Sequence, residues 1–115
     1  MSNNLENTQA QMRRGVLEFC ILSILSNEEV YPSDIINRMK QSKLIVVEGT
    51  LYPLLTRLKN GGLLQYRWEE SRSGPPRKYY SLTPLGHKFL DELRITWSEL
   101  VEAVSQTTKK TDNHE

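Results

Sequence analysis

The chain is 115 residues long, with 15 Lys and Arg against 14 Asp and Glu, a net charge of +1 and 37% hydrophobic residues, which suits a single domain of about 100–150 residues. Its one cysteine, Cys20, excludes a disulfide framework or a cysteine zinc site within one chain, and its longest apolar run, Phe19 to Leu25, falls far short of the roughly 20 residues that span a bilayer. A Ser/Asn/Gln-rich start without a basic stretch or a small-residue cleavage site carries no secretory signal, so a cytoplasmic location is expected.

Met12, Val16, Phe19, Cys20, Leu22 and Ile24 recur at helical spacing and predict one helix over about Glu6–Ser26, its second half apolar nearly all round and so buried on more than one side. Tyr31-Pro32-Ser33-Asp34 starts a short second helix with Ile35, Ile36 and Met39 on its inner face. The β-branched run Leu44–Val47 reads as a brief strand. A third helix covers about Glu48–Asn60, with Leu51, Leu54, Leu55 and Leu58 as one buried stripe. Pro53 belongs in a first turn, so regular helix is expected from Gly49 or Thr50, and Gly61-Gly62 ends it. Leu63–Glu70 alternates as a half-buried strand, with Leu64, Tyr66 and Trp68 on one face. Ser71–Pro76 is read as the turn and Arg77–Leu82 as the returning strand. Thr83 caps a last helix with Pro84 at its first position. Along it Leu90, Leu93, Trp97, Leu100 and Val104 form a heptad seam. After Ser105 the composition turns polar, as in a disordered tail.

This order specifies a mainly α fold with a small β-hairpin: a winged helix-turn-helix over residues 1–83, a dimerisation helix over 84–106 and a tail over 107–115. Charge is distributed accordingly. Residues 31–80 carry nine basic and four acidic side chains, while residues 1–30 and 81–108 are each net acidic by two. A local excess governs attraction to a polyanion, although a solvated surface also carries charge. The third helix favours the polyanion. Gly49, Tyr52, Pro53, Thr56, Lys59 and Asn60 lie opposite its leucine stripe, which offers hydrogen-bonding groups and one cation with no acid beyond Glu48. Ser33, Thr50 and Arg57 join this set as DNA-binding candidates. Arg72, Arg77 and Lys78 about Gly74-Pro75-Pro76 supply a stiffened basic wing suited to phosphates, although basic hairpin tips also serve solubility. Tyr66, Trp68, Tyr79 and Tyr80 are read mostly as hairpin packing rather than base stacking.

Three motifs in this order resemble the PadR-like family of bacterial transcriptional regulators. They are Arg13-Arg-Gly-Val-Leu-Glu-Phe-Cys-Ile-Leu22, Glu48-Gly-Thr-Leu-Tyr-Pro-Leu-Leu55 with Arg57-Leu58 and Gly62-Leu63, and Gly74-Pro-Pro-Arg-Lys-Tyr-Tyr80 with Leu82-Thr83 and Gly86. The length is similar to that of the family's short subgroup, which has a single carboxy-terminal helix. The resemblance implies a homodimer built on that helix, with Val16, Leu90, Leu93, Trp97, Leu100 and Val104 at the interface, bound to a two-fold-related double-stranded DNA operator, usually as a repressor. Two positions depart from the family pattern. Tyr31-Pro32-Ser33 replaces a Tyr-Gly-Tyr opening, and Val47 stands where a capping hydroxyl is common.

Trp97, mid-seam, is chemically a dimer-packing residue. In a multidrug-responsive subgroup of the family a tryptophan at the corresponding place sandwiches planar aromatic ligands. The resemblance therefore also admits ligand contact by Trp97, with Met12, Phe19, Leu93 and Leu100 as lining. Burial of Cys20 argues against a redox switch. His87 and His114 are too few and too separated for a metal site, and no catalytic constellation appears, so neither an enzyme nor a cofactor is expected. Two other readings remain: a winged-helix module that binds proteins, and a small-molecule carrier that uses Trp97.

Overall fold

The computed structural model describes residues 2–110, and the amino-terminal helix expected to be continuous is broken. Helix α1 (Ser2–Arg14) stops at Gly15, and α2 (Leu17–Leu25) starts after Val16, whose φ of −113° and ψ of 0° leave helical geometry. The backbone bond from Val16 N–H to the Arg13 carbonyl tightens the junction at 3.1 Å. Glycine is a poor helix former, and the polar, mostly exposed α1 has no buried side chain among the described ones to hold it in line with α2. Hydrophobic periodicity runs through the break because α2 alone carries the buried face: Leu17, Ile21, Leu22 and Leu25.

Helix α3 (Pro32–Gln41) begins with Pro32 at its first position, as expected, and buries Pro32, Ile35 and Met39. It closes with Lys43 in the left-handed region at φ 65°, while the Leu44 N–H reaches back to the Met39 carbonyl at 2.8 Å. The following segment, 44–47, is not a strand. Only Val46 is buried, and the hairpin edge at Tyr80 is occupied instead by Val30, which exchanges both backbone hydrogen bonds with it at 3.1 and 2.7 Å.

Helix α4 (Glu48–Asn60) is the expected third helix. It begins at Glu48, one to two residues earlier than Pro53 suggested. Pro53 therefore lies in the second turn, where the bond it forfeits is to the Gly49 carbonyl. The helix ends as expected. Gly62 takes φ 83°, and the Gly62 and Leu63 N–H groups bond to the Lys59 and Leu58 carbonyls, both at 3.0 Å.

Strands β1 (Leu64–Ser71) and β2 (Gly74–Leu82) pair antiparallel from Leu64↔Leu82 to Ser71↔Gly74. The turn is thus only Arg72-Ser73, and Pro75-Pro76 sit inside β2. The register shift between Glu69 and Ser71 absorbs them, since a bulge on a two-stranded hairpin needs no N–H there. Helix α5 (Pro84–Thr108) has Pro84 at its first position and Thr83 as its cap. It runs two residues past the expected end; of the expected polar tail, residues 111–115 lie outside the described residues.

One core joins these elements. Ile21, Leu22, Ile35, Leu51, Leu55 and Leu90 are each at most 1% exposed, each burial contributing about 1.5–3 kcal/mol. The leucine stripe of α4 faces this core, so its opposite face looks outward. No helix among the described residues is long and apolar enough to cross a membrane.

Candidate nucleic-acid interface

The outward face of α4 divides between two hollows. Tyr52 and Thr56 line a cleft of about 490 Å³ shared with Ser33 at the start of α3 and with Trp68, Arg77 and Lys78 of the hairpin. Thr50, Pro53 and Arg57 line a second hollow on the other flank of α4, against Arg14 and Glu18. The DNA-binding candidates thus do not form one patch: they straddle the helix. Lys59 and Asn60 are exposed near its end, and the Lys59 ammonium lies 5.5 Å from the centre of the Tyr66 ring, which leans it toward the wing.

Alternation fixes the two faces of the wing. One presents Tyr66, Trp68, Lys78 and Tyr80, and Lys78 sits over the Tyr66 and Trp68 rings at 4.4 and 5.2 Å. The other presents Arg67, Glu69, Arg77 and Tyr79. There the Arg77 guanidinium donates to the Tyr31 hydroxyl at 2.9 Å and covers its ring, which meets Tyr79 edge-on at 5.2 Å between centroids. Arg72 and Gly74 stand at the exposed tip. Of the aromatics expected to pack, Tyr80 is buried and Tyr66 and Tyr79 are half-buried, but Trp68 is 59% exposed. Alternation identifies the face of Trp68, not how far along the strand the core extends. Here it stops at Tyr66.

Tyr31, Pro32, Trp68, Pro76 and Tyr80 also line the cleft and are missing from the sequence candidates, Tyr31 and Trp68 being the two whose side chains change what it offers a ligand. The only signal for Tyr31 was its place before Pro32 at a helix start.

Charge pairing revises the regional count. Arg57 bonds to Glu18 at 2.7 Å, Arg38 pairs with Glu28, and Arg67 is held by Glu29 at 2.9 Å and by Glu69. Acids of the first thirty residues thus pair with cations of the helix-turn-helix and wing. The wing's own Arg72, Arg77 and Lys78 enter no ion pair among the described residues. Lys40, Lys43 and Lys59 of the helix-turn-helix are likewise outside these pairs, so the unpaired cations are shared between the helices and the hairpin.

The seam on α5 is split as well. Leu90 is 1% exposed and belongs to the chain's own core, so it has no surface to offer a partner. Leu93 is half-buried against that core, and Val16 is half-buried at the α1–α2 junction. From Trp97 onward the helix is bare, with Trp97, Leu100, Val101 and Val104 between 42% and 50% exposed. The Phe19 and Trp97 rings approach to 6.0 Å between centroids, whereas Met12 stands 72% exposed on α1.

Comparison with known proteins accords with this arrangement. Residues 21–92 match the model of the transcriptional regulator PadR-like family. The chain is 58% identical to a PadR-like transcription factor from Bacteroides fragilis of known structure, at a TM-score of 0.75 over 89% of this chain and 99% of that one. It is 32% identical to the transcriptional regulator Rv3488 of Mycobacterium tuberculosis over 82% of this chain and 87% of the relative. It is also similar to Bacillus subtilis PadR in complex with operator DNA, with 26% identity and a TM-score of 0.65 over 70% of this chain and 47% of that one. With a winged helix-turn-helix of this topology and a family match over most of its length, the chain belongs to the PadR-like family of transcriptional regulators.

Proposed function

We propose that the protein is a homodimeric DNA-binding regulator, acting as a repressor, that reads a two-fold-related operator with α4 and its wing. The observation that carries this reading is the cleft between them. Tyr52 and Thr56 line it with groups that hydrogen-bond base edges, while Lys78 beside Trp68 and, from the other face of the wing, Arg77 beside Tyr31 line it with cations for phosphates. The similar B. subtilis protein with its operator supports the same partner. A regulator of this kind works in the cytoplasm.

The bare stretch of α5 supports the dimer. Four large apolar side chains on about two turns of helix make a patch that a second copy would cover. The Phe19–Trp97 contact further supports a planar aromatic effector between subunits, with Leu93 and Leu100 as further lining. Such a ligand would act by favouring a separation of the recognition helices unsuited to the operator.

The test is a gel shift with the DNA upstream of the gene. Wild type retards this fragment, and Arg77→Ala retards it weakly. A protein that shifts neither this fragment nor random duplex at low salt is not a DNA-binding regulator.

A further inference from the structure

Arg13 and Arg14 close α1, where they complement the negative end of its dipole. The break at Gly15 also directs them somewhere. Arg14 lines the hollow formed with Thr50, Pro53 and Arg57, on the flank of α4 away from the wing. Both arginines line the adjoining hollow, which reaches Thr50 across Val46 and Val47. The one acid in these hollows, Glu18, is already bonded to Arg57 at 2.7 Å, and neither Arg13 nor Arg14 has an ion pair among the described residues. Both are exposed. In contrast, Arg38, Arg57 and Arg67 of the helix-turn-helix and wing each hold an acid.

We infer that Arg13 and Arg14 form a second phosphate-binding point, so that α4 enters the groove between two cationic supports, the wing on one flank and the end of α1 on the other. The inference rests on the proposed DNA-binding reading. A helix seated in the major groove has a phosphate backbone on each side, and the wing's cations serve only one of them. Phosphates carry no sequence information, so this second support raises affinity for all duplexes alike.

The experiment measures binding of the full-length chain to operator and unrelated duplex across a salt series, for wild type, Arg13→Gln/Arg14→Gln, Arg77→Ala and Arg94→Gln as a cation outside both hollows. Circular dichroism checks that helix content is retained. The double variant is expected to bind both duplexes at least roughly tenfold more weakly, and the slope of log K against log[salt] falls by about 0.9 for each phosphate that is no longer neutralised. Arg94→Gln leaves the slope unchanged. If the double variant keeps the wild-type slope while Arg77→Ala lowers it, the second support is refuted and the DNA-binding reading stands. If wild type shows no DNA affinity, both fall.

Discussion

Arg77 and Tyr31 lie 46 residues apart in sequence, yet the guanidinium donates to the phenol oxygen at 2.9 Å and lies 4.9 Å from the centre of its ring. Behind Tyr31 stands Tyr79, and over Tyr79 lies Arg67, itself tied to Glu29. The stack joins the wing to the segment that leads into α3, and so sets the wing's attitude relative to α4.

Tyr31 is therefore a positioning residue. Tyr31→Phe keeps the ring under the guanidinium and loses the hydrogen bond, and is expected to lower DNA affinity only about two- to tenfold, in line with the roughly 0.5–1.5 kcal/mol of one solvent-exposed hydrogen bond. Tyr31→Ala removes both and should approach the weakness of Arg77→Ala. Fluorescence anisotropy with a labelled duplex checks the order wild type, Phe, Ala. Equal affinities for all three would show that the wing needs no such support.

Gly86 sits where α5 crosses the end of the hairpin. A Cβ there would lie 2.1 Å from the Leu63 carbonyl oxygen, which belongs to backbone and has little room to give. Gly86→Ala should cost about 3 kcal/mol or more of stability, at or above the usual range for overpacking. The neighbouring Thr83 accepts from the Gly86 N–H at 2.9 Å and donates to the Gly62 carbonyl at 2.6 Å, so Thr83→Ala should cost about 1–2 kcal/mol. Urea denaturation reads both.

The exposed seam predicts concentration-dependent association. Trp97→Ala and Leu100→Asp should each shift the monomer–dimer equilibrium toward monomer in sedimentation velocity, the charged substitution more strongly. Trp97 fluorescence should also be quenched by planar cationic dyes if the effector reading holds. A wild-type protein that stays monomeric at high concentration would rule out the dimer.

Burial pushes both the Cys20 thiol and the Tyr80 phenol above their ordinary values. The folded state thus holds these protons more tightly than the unfolded chain. Their contribution is fully present below the ordinary values of about 8.5 and about 10, and is lost as pH rises through the raised ones. Thermal unfolding should show stability falling on the alkaline side, and Cys20→Ser with Tyr80→Phe should shrink that fall.

Much of this fold is legible in sequence because a single stripe decides it. Leu51, Leu55 and Leu58 bury as their spacing predicts, and that alone turns Tyr52, Thr56 and Lys59 outward. Thr83-Pro84 and Gly61-Gly62 are local chemistry and form the helix start and stop expected of them. What escapes the sequence depends on other elements. Leu44–Val47 has the composition of a strand but pairs with none, and the residue bridged to the hairpin at Tyr80 is Val30. Leu90 has heptad spacing with Trp97, but only the fold shows that the chain's own core ends between them. Tyr31 joins the cleft through a contact with Arg77 that no periodicity encodes.

The sharpest test is the specificity ratio: affinity for the operator over affinity for an unrelated duplex of equal length, measured at one salt concentration for wild type, Thr56→Ala and Arg77→Ala. If α4 reads bases and the wing holds phosphates, Thr56→Ala lowers the ratio about five- to tenfold or more, and Arg77→Ala weakens both affinities while leaving the ratio near the wild-type value. A wild-type ratio of one, or a ratio unmoved by Thr56→Ala but collapsed by Arg77→Ala, would overturn that division of roles.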